Sequence, residues 1–206
     1  MAFRGWPAEA LEFYEGLEAD NSKTYWQANK ATYDEKVLRP MQELLVALEP
    51  EFGAGKIFRP YRDVRFSADK TPYKTAIAAT LERGGYIQLS ANGLGCGSGR
   101  YHLEPDELAR FRDAIVDDKT GQALQRIVDD LIKARIDVSA HNVLKTAPRG
   151  YPKDHPRADL LRHKGLIGWQ QWPVAAWLGT AKARDRIVDF LQTMGPLNDW
   201  LAKAVG

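Results

Sequence analysis

A single cysteine, Cys96, stands among 206 residues. It excludes an intramolecular disulfide and any zinc site built from thiolates. Such scarcity suits a reducing compartment. The opening MAFRGWPAEA has no basic stretch followed by an apolar run, so a secretory signal is not expected. Apolar runs such as TAIAAT and VAAWLG are far shorter than the roughly 20 residues that a membrane helix needs. These absences predict a cytoplasmic protein without a membrane span. Excess charge of one sign is missing too: the formal net charge is +2, which gives little general attraction for nucleic acid. The four histidines, at 102, 141, 155 and 163, show no paired helical spacing for a metal. No metal or cofactor is expected, and there is no internal repeat or low-complexity linker.

What is present is ordinary globular material. Hydrophobic residues make up 44% and charged residues 27% of the chain, enough for one sizeable core. A single domain over 1–206 is expected. Helical periodicity opens the chain: Pro7 suits a helix start, and Leu11, Phe13, Tyr14 and Leu17 share one side. Asn21 or Ser22 caps a second helix. It continues through Leu38, Met41, Leu45 and Leu48, with a kink or break at Pro40 and a stop at Pro50, Gly53 and Gly55.

From about residue 56 the period shortens. TAIAATLE and GYIQLSA read as strands joined by a two-residue turn at Gly84-Gly85, and Asn92-Gly93 turns the chain into GLGCGSGRYHL. Pro105 restarts helix, and a further helix begins at Thr120, its cap. Residues 135–145 hold a possible strand, TAPRGYPKDHP is loop, KGLIGW is a last strand, and the chain closes in helix from about 183. Strands grouped between helical runs predict an α+β fold. Its central, mainly antiparallel sheet lies roughly over 56–103 plus later strands, with N-terminal and C-terminal helices flanking it.

Charge is unevenly spread. RPYRDVRFSADKTPYK, residues 59–74, holds five basic and two acidic groups, a net of +3. Residues 141–164 hold six basic and two acidic groups, a net of +4. Arg59, Arg62 and Arg65 recur every third residue with Lys70 and Lys74 behind them. Guanidinium forks match phosphate or carboxylate oxygens two at a time. Pro60 and the Thr71-Pro72 step favour an extended or looped path, in which Asp63 braces Arg65 or Arg59. Tyr61, Phe66 and Tyr73 would pack beneath the charged tips, and the Tyr73 hydroxyl would donate to the same anion.

The tract resembles the signature of a mainly bacterial family, domain-of-unknown-function family 2461. Its pattern is Arg, two residues, Arg-Asp, one residue, Arg-Phe, then Asp or Asn before Lys, and a Tyr. Here these are Arg59, Arg62, Asp63, Arg65, Phe66, Asp69, Lys70 and Tyr73. The resemblance extends over nearly the whole chain, including PRGYPKDHP and PLNDWL, and implies no particular activity.

Other signals are weaker. NGLGCGSG fails the dinucleotide-binding spacing because Ser98 stands where a third glycine is required. Glycines 93, 95, 97 and 99 share one strand face and leave it bare for a large neighbour or a ligand. Cys96 points the other way with no base beside it. The expected function is binding of a small anionic ligand, bearing phosphate or carboxylate, by Arg59, Arg62, Asp63, Arg65, Lys70, Tyr73 and Lys74. Lys145, Arg149 and Lys153 form a second basic segment that closes over it. On this reading Arg65→Lys weakens binding and spares stability. The alternatives are an enzyme on such a ligand, with Tyr73, Asp63 or His102 moving a proton, and a purely architectural tract in which Arg62→Ala strands Asp63. Nucleic-acid binding is disfavoured by the low net charge.

Overall fold

A computed structural model describes residues 2–206. Helix α1 (Ala8–Ala19) starts after Pro7, whose extended backbone leads into it, and buries Ala10, Phe13, Tyr14 and Leu17. Ser22, not Asn21, caps α2 (Lys23–Ala28): its hydroxyl accepts from the Tyr25 N–H at 3.1 Å. A short α3 (Lys30–Thr32) runs into a π-helical turn, Tyr33–Leu38, and then into α4 (Arg39–Phe52). The kink expected at Pro40 takes the form of that wider turn. Pro40 has no N–H to return to the preceding turn, and the π spacing, in which the Arg39 N–H reaches the Asp34 carbonyl, absorbs the gap without breaking the helix. Pro50 does not stop α4 but lies within it. The helix ends at Gly53, whose φ of 77° suits a residue without Cβ.

The sheet has six strands in the order β1-β2-β3-β4-β6-β5. These are β1 (Gly55–Ile57), β2 (Ala76–Leu81), β3 (Tyr86–Ser90), β4 (Gly93–Arg100), β5 (Asp137–Ser139) and β6 (Leu166–Trp172). β1–β2, β2–β3 and β5–β6 pair antiparallel. The α+β expectation holds, with helices flanking a central antiparallel sheet. The β2–β3 turn is longer than two residues: the Leu81 N–H bonds the Gly85 carbonyl at 3.0 Å, so Glu82 and Arg83 belong to the loop.

Alternation on β2 and β3 sets two faces. Ile77, Ala79, Leu81, Ile87 and Leu89 are each at most 5% exposed and form the core side. Ala76, Ala78 and Thr80 stand on the other face and pair with Ser90, Gln88 and Tyr86.

The chain divides into two compact units, one reaching to Cys96 and including Gln171–Asp189, the other comprising Gly97–Gln170 and Phe190–Gly206. In the second, α5 (Pro105–Val116) opens with a capping box between Glu104 and Glu107. Helix α6 (Asp118–Lys133) is capped by Asp117, which accepts from the N–H of Thr120, so Thr120 is the capped residue and not the cap. α7 (Ala158–Leu161) is a single turn, α8 (Lys182–Thr193) leads out of the unit containing the tract, and α9 (Gly195–Val205) closes the chain. The bare glycine face of β4 is covered by protein. A Cβ on Gly97 would lie 3.0 Å from the Trp169 ring, and one on Gly99 would lie 2.3 Å from the Leu166 carbonyl.

Candidate functional site

The basic tract leaves β1 as an extended arm and returns to β2 beside itself. The Phe58 N–H still bonds the Ala78 carbonyl at 2.9 Å. Beyond it, Lys74 N–H to Pro60 carbonyl at 2.8 Å and Arg62 N–H to Pro72 carbonyl at 2.9 Å clamp the two arms, with Tyr61 and Tyr73 bridged between them. Asn21 secures this base from the helical side. Its amide nitrogen donates to the Tyr73 carbonyl and its oxygen accepts from the Tyr73 N–H, both at 3.0 Å, as a neighbouring strand would. The Tyr73 ring lies flat on Trp26, with centroids 4.4 Å apart and planes 8° from parallel.

Residues 62–72 then form a loop held by its own side chains. Arg62 Nη1 donates to Asp69 and to the Thr71 hydroxyl. Asp69 Oδ1 also accepts from the Thr71 N–H at 2.9 Å and its hydroxyl at 2.8 Å. The Thr71 backbone N–H, the Arg62 guanidinium and the Thr71 hydroxyl together hold the Asp69 carboxyl down to about 2. Asp63 braces Arg65, through Nε at 2.9 Å and Nη2 at 2.7 Å, and that hydrogen bonding lowers its own carboxyl. Lys70 Nζ donates to the Val64 carbonyl at 2.9 Å. Tyr73 packs inward at 5% exposure, but Tyr61 is 49% exposed and Phe66 97%. The expected apolar support beneath the charged tips is therefore Tyr73 alone. Ion pairs, not ring burial, shape the tip.

The cations divide between two grooves. The first, about 480 Å³, is lined by Phe58, Arg62, Tyr73, Lys74, Tyr86 and Gln88 over a floor that includes Ala76 and Ala78. Lys74 Nζ sits 5.3 Å from the centre of the Phe58 ring, and no ion pair joins it to an acidic side chain among the described residues. Arg62 Nε and Nη2 likewise make no hydrogen bond among the described residues, since Asp69 and Thr71 both use Nη1. The second groove, about 440 Å³, shares Phe58 with the first. Arg59 lines it with Trp26, Tyr33 and Tyr61, as do Lys30 and Asp34, which pair with each other.

Thus Arg62, Tyr73 and Lys74 meet in one groove, Arg59 faces another, and Asp63, Arg65 and Lys70 line neither. Asn21, which the sequence offers only as a helix cap, and Trp26, Phe58, Tyr86 and Gln88 join the site without having been named for it. The alternation of Tyr86 and Gln88 on β3 was the available signal for the last two.

In the second unit, Lys145, Arg149 and Lys153 are exposed on the connection between β5 and α7. Their neighbours turn inward. Arg157, 7% exposed, donates from Nε to the Ile115 carbonyl at 2.7 Å and from Nη2 to the Val116 carbonyl at 3.3 Å, closing the end of α5. Arg162 Nε bonds the Leu144 carbonyl at 2.6 Å. His102 is exposed, 3.7 Å from Glu104. Burial pushes the Cys96 thiol up, which removes it as a nucleophile. Among the described residues no cluster of His, Cys, Asp or Glu is placed to hold a metal, and no helix is long and apolar enough to cross a membrane.

A model of the family described as conserved hypothetical protein (DUF2461) matches residues 9–200. The chain belongs to this family. No curated protein matches the chain. Among solved structures, the chain is similar to "Conserved hypothetical protein Pfu-178653-001 from Pyrococcus furiosus". That likeness has 12% identity and a TM-score of 0.38, over 79% of this chain and 92% of that one.

Proposed function

We propose that this member of family 2461 binds a small ligand carrying a phosphate or carboxylate in the Phe58–Lys74 groove. One observation carries the reading: Lys74, partly buried and without an acidic partner among the described residues, lines the same groove as Arg62, whose Nε and Nη2 make no hydrogen bond among those residues. A cation that lacks a counter-charge leaves an open position for an anionic oxygen, and the Phe58 ring meets only part of it. An anionic oxygen at Lys74 Nζ, backed by Arg62, supplies the counter-charge. Phe58, Tyr73 and Tyr86 then give an apolar wall to the ligand's body, and the Gln88 amide offers it a polar anchor. Asp63, Arg65, Asp69, Lys70 and Thr71 shape the loop that presents Arg62. In this reading the motif splits into a binding part and a shaping part.

Calorimetric titration with thymidine 5′-monophosphate and with inorganic phosphate tests this. Lys74→Met should weaken binding about tenfold or more, the value of a lost charge-assisted contact. Arg65→Lys should leave affinity unchanged, which revises the expectation drawn from the sequence. Equal affinity in the wild type and Lys74→Met, or a loss confined to Arg65→Lys, would contradict the proposal.

A further inference from the structure

Two grooves, each pairing a cation with aromatic rings, share the Phe58 ring. One joins Lys74 to Phe58, Tyr73 and Tyr86, and the other joins Arg59 to Trp26, Tyr33 and Tyr61. A small anion needs only the first. Three aromatic rings along the tract also stay open to solvent: Phe58 at 37%, Tyr61 at 49% and Phe66 at 97%. Cations alternate with them. Once Arg62 has paired with Asp69 and Arg65 with Asp63, the surplus of +3 resides on Arg59, Lys70 and Lys74.

We infer that the tract takes a short stretch of single-stranded nucleic acid that crosses Phe58 from one groove to the other, its phosphates on Lys74, Arg59 and Lys70 and its bases against Phe58, Tyr61 and Phe66. The inference rests on the anion-binding reading of the Lys74 groove and extends it to a polymer. Alternating flat rings and anionic links are what alternating aromatics and uncompensated cations match. An acidic peptide would satisfy the charges and leave the rings unused. A duplex keeps its bases stacked inside, so the rings select the single strand. The low net charge of the whole chain does not oppose this, because the surplus is local.

The test uses the full chain and a fluorescein-labelled octathymidylate, read by anisotropy, with an octauridylate, an octaglutamate and thymidine 5′-monophosphate alongside. The octathymidylate should bind at least about tenfold more tightly than the monophosphate. Its affinity should fall with salt at a log–log slope of about 2, as three phosphate contacts on a single strand require. Tyr61→Ala and Phe66→Ala should each weaken it about tenfold; both side chains are exposed, and unchanged melting would show that folding survives. Arg59→Ala should weaken the octamer and lower the slope while leaving the monophosphate unaffected. Equal affinity of octamer and monophosphate, a silent Arg59→Ala, or octaglutamate binding as tightly as octathymidylate would each overturn the inference and leave the small-anion reading standing. Failure of the monophosphate to bind would instead strike that reading first.

Discussion

Asp69 commits both carboxylate oxygens within its own loop, to Arg62 on one side and to the backbone and hydroxyl of Thr71 on the other. Its folded value of about 2 lies below the ordinary 3.8, so the charged form is the one favoured by folding. The contribution is therefore complete above about pH 4 and is lost as pH falls through about 2. A carbon-detected NMR titration should find Asp69 among the most acidic carboxyls, and Arg62→Ala should move it back toward 3.8. The same variant should lower the melting temperature by less than about 4 °C, since the pair is exposed. The larger loss expected from stranding Asp63 does not apply, because Asp63 has Arg65. Spacing could reveal which charges lie near each other. It could not choose among partners two to seven residues apart, because loop dihedrals decide that. A second residue-scale prediction concerns Arg135, at φ 64° just after α6. The Ile136 N–H bonds the Leu131 carbonyl and the Arg135 N–H bonds that of Ile132, a closure that glycine favours. Arg135→Gly should stabilise the protein by about 1 kcal/mol in chemical denaturation.

Two helix glycines look alike in the sequence, but only one of them is required by packing. In α6, a Cβ on Gly121 would fall 2.1 Å from the Ile115 carbonyl and 2.5 Å from Arg157 Nε. Helix propensity alone would reward Gly121→Ala. The clash with backbone reverses the sign, and the variant should lose about 1–3 kcal/mol. At Gly195, in the first turn of α9, nothing lies within 4 Å of the same atom. Gly195→Ala should be neutral or gain about 0.5 kcal/mol, and thermal melts of the two variants make the contrast. Element type was legible wherever period and punctuation agreed, as in α1, β2, β3 and the Pro105 helix. It was misread where one residue type serves two ends. Asn21 offered itself as a cap but binds the Tyr73 backbone, and Thr120 offered itself as a cap but is the residue capped. Pro40 signalled a fault in the helix without telling a break from a widened turn, because both remove the same hydrogen bond.

For the whole molecule, charge is where sequence and structure diverge most. The counts over 59–74 and 141–164 were available at once, but their destinations were not. Arg157 and Arg162 became backbone ties, Arg62 and Arg65 became loop staples, and Arg59, Lys70 and Lys74 have no acidic partner among the described residues. Global stability should also carry a histidine signature. Burial, then the neighbouring Arg162 guanidinium, holds His163 below its ordinary 6.5 against the weaker pull of Asp159. The neutral form is thus favoured by folding. Stability should be complete above pH 6.5 and decline as pH falls below it. His163→Gln should flatten that part of a pH series of denaturation midpoints.

In the proposed site Lys74 and Arg62 hold one anion together, and Arg65 takes no part. NMR observation of the lysine and arginine side-chain nitrogens during a titration with thymidine 5′-monophosphate tests it most directly. The account predicts saturable shifts at Lys74 Nζ and Arg62 Nε, with Arg65 Nε unmoved. Movement centred on Arg65 and Lys70, or no saturable movement at Lys74, would contradict it.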